Sequence, residues 1–214
     1  MSRLLKIRGM SKAPPDIPTL TIHELEVARE AFEGSEPRDL FYRAATELVG
    51  LALRGQTSLS VTEALAVLLQ TWNSAYYRFT PFDGLHFSDL DRVVIQHEGE
   101  LAILRCRSIE SLSGEDETTV QKLFADYEAV LGPVGAAKGL HLLAPRFFPL
   151  WDRAIAKTYG LPLRARGKNA AQYRRFMEVT RRQCKELGGE QAIGQNLLKA
   201  LDEYNYCKYT KHWI

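Results

Sequence analysis

The chain has 214 residues, of which 45% are hydrophobic and 25% are charged, and its net charge at pH 7 is +2. This length suffices for one sizeable core, or for one core split into two lobes. The sequence contains no apolar run of the ~20 residues that a membrane span requires, so we expect no membrane partner.

The N-terminus and the cysteines give expectations about domain limits and location. Residues 1–18 start with basic residues but lack an apolar run of signal-peptide length, and we interpret them as a flexible tail before a single domain at 19–214. The three cysteines are scattered without a CxxC pair, and the five histidines show no ligand-like spacing. This pattern argues against zinc and iron–sulfur sites and fits the reducing cytoplasm.

The predicted elements of the first half of the chain are helices. Capping boxes at Thr21–Glu24 and Ser60–Glu63 open two of them, and another is predicted from Asp39 to Leu53. Ser88 opens a further helix that reaches Val94. Residues 100–109 have the composition of either a strand or a helix.

The second half continues in the same way. Residues 118–131 place their apolar side chains on one stripe, as in an amphipathic helix that ends at Gly132. A short helix is predicted from Ala136 to Leu143, and another begins at Trp151 or Asp152. Two more are predicted at 169–187 and 191–204. The fold class is therefore all-α, a compact bundle of roughly eight to ten helices around a core or a central cleft.

Charge is distributed unevenly along the chain. Residues 138–185 contain twelve Lys or Arg and two acids, whereas residues 98–128 are mostly acidic. A protein with one basic face typically binds a polyanion, although a solvated helical surface has the same composition. The expected contacts with a DNA backbone are Arg164, Arg166, Lys168, Arg174 and Arg175.

Residues 127–155 are the most informative stretch. A helix stops at Gly132, a Gly-Pro-Val-Gly turn follows, and the next helix begins with free N–H groups that suit a phosphate. Gly135 allows a backbone to approach where a Cβ would intrude. We expect this turn to hold one DNA strand without reading its sequence, through Gly132, Val134, Gly135 and Ala136. No cofactor is expected, although the turn could hold a monovalent cation.

This stretch resembles the helix-hairpin-helix DNA glycosylase superfamily, which includes the endonuclease-III-like and 8-oxoguanine-glycosylase-like enzymes. Leu131, Gly132, Val134 and Gly135 match the turn of the family. Pro149 and Asp152 match its Pro-Val-Asp segment, with one additional residue between them. The resemblance implies a helix-hairpin-helix motif and a monomeric DNA N-glycosylase that excises a damaged or modified base from double-stranded DNA.

The resemblance also implies catalytic roles. Asp152 would stabilise the positive charge that builds on the sugar as the base departs, and would align the attacking water. Its alternative role is a helix N-cap. Lys138 lies one position beyond the catalytic lysine of the family. It either forms a Schiff base with the sugar, which gives lyase activity, or contacts a phosphate.

A flipped base requires a pocket, and two aromatic segments offer one. The first resembles the family helix that ends in a strand-separating wedge, with Gln70, Trp72 or Asn73 as the wedge. The second is the C-terminal stretch 200–214. The candidate pocket residues are Gln70, Trp72, Asn73, Tyr76, Tyr77, Asp202, Tyr204 and Tyr206. The alternative is that these rings only pack between helices.

Three functions stay open at this point. The first is a glycosylase, in DNA repair or in defence against phage with modified DNA, which requires Asp152 to face a cleft containing Trp72 or Tyr76. The second is a non-catalytic DNA-binding protein, which requires an exposed turn at 132–138 on a basic face. The third is a different helical enzyme or a protein-interaction domain, which predicts that this turn is buried.

Overall fold

The structure of the protein is a computed structural model that describes residues 19–194 and 196–214. The flexible tail predicted at residues 1–18 lies outside the described residues. Between residues 19 and 214, leaving out 195, the regular elements are helices and no β-strand is present, so the all-helical prediction is confirmed. In the same ranges, no helix combines the length and the apolar character needed to cross a bilayer.

The described part of the chain contains ten α-helices joined by short connections. They are α1 (Ile22–Ser35), α2 (Asp39–Leu53), α3 (Val61–Trp72), α4 (Ser74–Tyr77), α5 (Gly84–Gln96), α6 (Glu98–Arg105), α7 (Glu117–Leu143), α8 (Arg153–Thr158), α9 (Ala170–Glu186) and α10 (Leu197–Asn205). Single 3-10 turns lie at Ile109–Ser111, Gly114–Asp116 and Glu190–Ala192, and a π-helical turn at Tyr206–Lys211 follows α10.

Local capping explains where several helices begin. Both predicted capping boxes are confirmed, since the Thr21 and Ser60 side chains accept hydrogen bonds at the starts of α1 and α3. The predicted start at Ser88 is wrong, because Asp83 caps α5 by accepting the N–H of His86 at 2.9 Å. Residues 100–109 resolve mainly into helix α6 rather than a strand.

Helix α7 is the centre of the fold and changes direction at Gly132. The backbone there has φ 69° and ψ 171°, in the region that only glycine adopts readily. Pro133 follows as the first residue of the second segment, where its missing N–H leaves no helical bond unmade. The second segment therefore resumes at once, three residues before the predicted start at Ala136. We call this feature the Gly132 kink.

An aromatic cluster packs α7 against α9 and the chain before α8. The Phe124 and Tyr173 rings stack with centroids 4.2 Å apart, and the Trp151 ring lies edge-on to both. All three are fully buried and belong to one contiguous core that extends from α1 to α10. Burying side chains of this size stabilises the fold by about 1.5–3 kcal/mol each.

The C-terminus differs from the prediction. Instead of one helix at 191–204, a 3-10 turn at Glu190–Ala192 precedes α10, whose N-cap is Asn196. The Asn196 side chain takes the N–H groups of Leu198 and Lys199 and so starts a new helix. Helix α10 packs on α1, and the π-helical turn after it contacts α1 and α8.

Candidate functional site

Asp152 lies half-buried at the N-terminus of α8. Its Oδ1 accepts the N–H of Ile155 at 2.8 Å, so the N-cap role is confirmed. Its Oδ2 accepts the Thr210 hydroxyl from the π-helical turn at 2.7 Å. The carboxylate is therefore held in one orientation by two elements that are 58 residues apart in sequence.

The residue before it connects Asp152 to the Gly132 kink. The indole N–H of Trp151 donates to the carbonyl of Pro133 at 3.0 Å, and Trp151 is 2% exposed. On the other side, the Tyr173 hydroxyl donates to the carbonyl of Pro149 at 2.7 Å. The segment that carries the carboxylate is thus fixed to the first turn after the kink.

Lys138 lies on the second segment of α7, half-buried against Trp72. Its Nζ donates to the Trp72 carbonyl at 2.6 Å and lies 4.6 Å from the centre of the indole ring. Burial lowers the pKa of Lys138 to about 8, while the charges of Asp202 and Asp152 oppose this shift. The amine is therefore within electrostatic reach of both carboxylates, and a fraction of it is neutral near pH 7.

Asp202 is the third charged group of this cluster and lies half-buried on α10. The pKa of Asp202 is raised to about 7, mainly by burial; the charges of Asp152 and Glu203 also raise it, and those of Lys199 and Lys138 lower it. Within residues 19–194 and 196–214, no side chain or backbone group makes a hydrogen bond or ion pair with this carboxyl. We call Lys138, Asp152 and Asp202 the charge cluster.

A narrow pocket of about 40 Å³ adjoins the charge cluster. Three of the predicted pocket residues line it, namely Trp72, Asp202 and Tyr206. The other lining residues are Phe32, Glu36, Arg38, Asp39, Tyr42 and Lys199. This volume holds a few water molecules and is far too small for a nucleobase, so a flipped base could enter only if the pocket opened. We call it the aromatic pocket.

Tyr42, which no sequence pattern marked, forms one wall of the aromatic pocket. Its ring lies 5.4 Å from that of Trp72, and its hydroxyl donates to Nε2 of His141 at 3.0 Å. His141 donates from Nδ1 to the Phe148 carbonyl at 2.8 Å, and burial lowers its pKa to about 4, so it stays neutral. A buried tyrosine on an amphipathic helix gives no sequence signal of such a role.

The remaining predicted pocket residues lie elsewhere. Gln70 is exposed on α3, and the Tyr204 ring is buried, with its hydroxyl accepting from Lys208. Tyr76 packs on the Gly132 kink and donates to the Val130 carbonyl at 2.7 Å. Tyr77 bonds His86 at 3.0 Å. These four do not line the aromatic pocket, so of the candidate pocket residues it brings together Trp72, Asp202 and Tyr206.

The backbone of the kink is less accessible than predicted. Gly132, Gly135 and Ala136 are buried, and Val134 is half-buried. A Cβ on Gly135 would lie 2.6 Å from Nδ2 of Asn73. The space that a glycine leaves at this position is therefore filled by the Asn73 side chain and not by a DNA backbone. Asn73 is 5% exposed, which also removes it as a wedge in this conformation. This burial is what the third open function predicts for the turn, and it differs from the exposed turn that a non-catalytic DNA-binding protein requires.

The basic loop at residues 164–168 is anchored beside the kink. Glu128 is 0% exposed, and its carboxylate accepts the N–H of Gly167 at 2.9 Å and two donors of Asn169 at 2.5 and 3.2 Å. Arg166 also donates to the Ala129 carbonyl. The predicted phosphate contacts Arg164, Arg166, Lys168 and Arg175 are exposed.

Arg174 does not belong to this surface. It is 5% exposed, and its guanidinium pairs with Glu178 at 2.7 Å and donates to the Ser113 carbonyl at 2.9 Å. The prediction that it contacts a DNA backbone is therefore wrong. Helical spacing alone did not separate Arg174 from Arg175, because which of two adjacent side chains faces the core depends on the packing partner of α9.

Two exposed apolar side chains, which we call the apolar tip, lie at the junction of α4 and α5. Phe79 is 89% exposed and Leu85 is 74% exposed, in the loop that joins α4 to α5 and in the first turn of α5. This connection borders His86, whose pKa is lowered by burial and, to a smaller extent, by the charge of Arg166. No sequence pattern marked these exposed apolar side chains.

Across residues 19–194 and 196–214, no three His, Cys, Asp or Glu side chains are grouped so that they could hold a metal ion.

Comparison of the chain with protein-family models, with curated proteins and with solved structures found no match. The resemblance to the helix-hairpin-helix glycosylases therefore depends on the residues of the stretch 127–155 and on the geometry that they adopt here.

Proposed function

We propose that the protein is a cytoplasmic DNA N-glycosylase that removes a damaged or modified base from duplex DNA. The observation that supports this most is the hydrogen bond from Trp151 to Pro133, which fixes the adjacent Asp152 relative to the Gly132 kink. In this proposal the two segments of α7 act as a helix-hairpin-helix, and the charge cluster is the catalytic centre beside it.

The chemistry follows from the charge cluster. As the base departs, the sugar becomes cationic, and the oriented Asp152 carboxylate stabilises that charge and positions a water molecule. Lys138 has its amine bonded to the Trp72 carbonyl, so it is held away from a nucleophilic role. The proposed reaction is therefore hydrolysis by water, and a Schiff base would require Lys138 to leave Trp72.

Two exposed features of the surface suit duplex DNA. Arg164, Arg166 and Lys168 are exposed cations on an anchored loop, which fits contact with phosphates. Phe79 and Leu85 of the apolar tip are exposed as well. Apolar side chains of this kind insert between base steps and help to unstack them, which is the first step in exposing a base.

The test is the variant Asp152→Asn. Asparagine caps a helix about as well as aspartate, so the fold and the Ile155 bond should be kept while the charge is lost. We expect release of the base to fall about 10²–10⁴-fold. The readout is abasic-site formation, by alkaline strand cleavage, in a panel of duplex oligonucleotides that each contain one modified base.

Asp83→Asn is the matched control, because Asp83 is also an N-cap aspartate but belongs to α5. It should leave base release unchanged. Equal base release by wild type and Asp152→Asn would overturn the assignment of Asp152. DNA binding without base release from any oligonucleotide would instead support a second function, a non-catalytic DNA-binding protein.

One observation fits that second function, although Gly132, Gly135 and Ala136 are buried and the function requires an exposed turn at 132–138. Both carboxylate oxygens of Asp152 already accept hydrogen bonds, from Ile155 and from Thr210, as in a purely structural N-cap. Thr210→Val separates the two functions, because it frees Oδ2 without removing the charge or the cap. In a glycosylase this variant changes the rate of base release, whereas in a binding protein it leaves DNA affinity unchanged.

A further inference from the structure

The aromatic pocket has a composition that the proposed chemistry does not need. Its lining includes two pairs of aromatic rings, Tyr42 with Trp72 at 5.4 Å and Phe32 with Tyr206 at 5.9 Å between centroids. Aromatic faces attract cations and are common around bound ammonium groups. At about 40 Å³ the space suits a small head group rather than a planar ring system.

One ammonium group already occupies the edge of the aromatic pocket. Lys199 Nζ lies 4.3 Å from the Phe32 ring centre and 4.6 Å from that of Tyr42. The same nitrogen pairs with Asp39 at 3.2 Å and with Glu203 at 3.3 Å. The Lys199 side chain is itself an alkylammonium group, and the aromatic rings and carboxylates around it hold it at the edge of the aromatic pocket. The same surroundings suit the ammonium group of a ligand.

The pocket also contains a carboxyl group that makes no hydrogen bond or ion pair within the described residues, although the charges of Lys199 and Lys138 act on it. Arg38 donates to the Thr71 carbonyl at 3.2 Å, and Glu36 accepts the Tyr206 hydroxyl at 2.7 Å. Asp202 lines the pocket and has no such partner within the described residues. A second cation entering the space would therefore find an available carboxyl group beside the rings.

We propose that the aromatic pocket binds the ammonium end of an alkylamine through Asp202, Trp72 and Tyr42. If the protein is a DNA glycosylase as proposed above, on which this part depends, the substrate class is a base with a flexible aminoalkyl substituent. The substituent enters the narrow pocket while the base stays near Asp152. In this arrangement the pocket, which is too small for a base, still discriminates between bases because it binds the aminoalkyl substituent.

Ionisation of Asp202 controls this binding. The charged groups around it are Lys199 and Glu203 on the same helix, Glu36, Arg38 and Asp39 from the start of α2, Lys138 on α7 and Asp152 before α8. Because burial raises the pKa of Asp202 to about 7, an ammonium ligand must displace a proton below that pH. Binding should therefore tighten as the pH rises through 7.

The first experiment uses the full chain without DNA. n-Butylammonium chloride is titrated against the protein and compared with n-butanol, a neutral molecule of the same length, by following the indole NMR signal of Trp72. We expect butylammonium to bind at least about tenfold more tightly, and Asp202→Asn to remove that preference. Asp91→Asn changes an aspartate that lines a different pocket, and it should have no effect.

Equal binding of the two probes, or an unchanged preference in Asp202→Asn, would overturn the proposal. The second experiment compares duplex oligonucleotides whose pyrimidine has either an aminoalkyl group or a neutral alkyl group of the same length. Faster release of the aminoalkyl base supports the substrate class, and equal release overturns it. Because the first assay contains no DNA, a protein that binds butylammonium but releases no base would contradict the glycosylase and leave the ammonium site standing.

Discussion

Two carboxyl groups, both partly or fully enclosed by the fold, differ in how completely the chain satisfies them. Glu128 is 0% exposed and receives three hydrogen bonds, two from Asn169 and one from Gly167. Asp202 is half-buried, and within the described residues it receives none. Glu128 lies on α7 and Asp202 on α10, and only Glu128 has the partners that a buried charge needs.

The difference separates a structural charge from a functional one. A carboxylate with a complete set of donors stabilises the segment that supplies them, here the basic loop. A carboxyl left without partners costs stability, and burial raises the pKa of Asp202 to about 7 as a result. Ionisable groups with shifted pKa values are common at functional sites, because a ligand can provide the hydrogen bond or the opposite charge that the folded chain does not.

The largest effect is expected from Glu128→Ala. It removes a fully buried acceptor of three hydrogen bonds: the N–H groups of Gly167 and Asn169 lose their partner, while the Asn169 amide keeps the carbonyls of Arg164 and Ala165, and each buried donor left unpaired costs about 1–3 kcal/mol. We expect a loss of about 3–5 kcal/mol in the free energy of unfolding, measured by urea denaturation. Glu47→Ala, an exposed position on α2, is the control and should change stability by no more than about 0.5 kcal/mol. A loss of that same small size in Glu128→Ala would mean that the Asn169 contacts do not hold the loop.

The next effect is a pH-dependent gain from Asp202→Asn. Since the pKa of Asp202 is about 7 when folded and about 3.9 when unfolded, the folded state binds more protons between these values. The wild type therefore loses stability as the pH rises from about 4 to 7, and the asparagine variant does not. We expect the variant to be about 1–3 kcal/mol more stable at pH 8 and equal to the wild type near pH 4.

Asp116→Asn is the control, because we expect its effect on the pH dependence of stability to have the opposite sign to that of Asp202→Asn. The guanidinium of Arg107, at 2.6 Å, lowers the pKa of Asp116, so this carboxylate stabilises the fold at neutral pH and loses that contribution as the pH falls. Its asparagine variant should be less stable than the wild type at pH 7. Thermal unfolding at several pH values measures both variants, and parallel curves for Asp202→Asn and wild type would contradict the assignment of Asp202.

Much of the fold was predictable because it depends on local rules. The capping boxes at Thr21 and Ser60, the amphipathic stripe of α7 and the Asp152 N-cap are each decided within a few residues of sequence. The helix stop at Gly132 was predicted for the same reason. The start of α5 was missed because two capping residues, Asp83 and Ser88, compete there, and only Asp83 makes the bond.

The site was less predictable because it is assembled from distant segments. Trp72 and Asp202 were named from aromatic and acidic clusters, yet Tyr42 and Lys199 complete the aromatic pocket from helices that looked ordinary. The contact of Thr210 with Asp152 depends on a π-helical turn, which no periodicity in the sequence indicates. The burial of Arg174 beside an exposed Arg175 likewise depends on which face of α9 meets the core.

A smaller effect is expected from Gly132→Ala. The φ of 69° is unfavourable for alanine by about 1–2 kcal/mol, and the new Cβ would lie 3.1 Å from the Tyr76 ring. Gly34→Ala is the matched control, because its Cβ would meet nothing within 4 Å and it lies inside α1, so it should stabilise by about 0.4–1 kcal/mol. Urea denaturation of both variants measures the difference. Equal changes would show that the kink does not need a glycine.

The smallest effect tests whether the loop that Glu128 anchors is a phosphate-binding surface. Lys168 is exposed on this loop, whereas Lys122 is exposed on α7 within the acidic stretch 98–128. If Lys168 contacts one phosphate, Lys168→Gln should lower the slope of log K against log salt by about 0.9 and weaken binding a few-fold for every DNA sequence. Lys122→Gln should leave the slope unchanged. Identical slopes for the wild type and both variants would mean that Glu128 stabilises a loop with no role in DNA binding. Glu128 would then be purely structural, and Asp202 would be the only one of the two carboxyl groups with a proposed functional role.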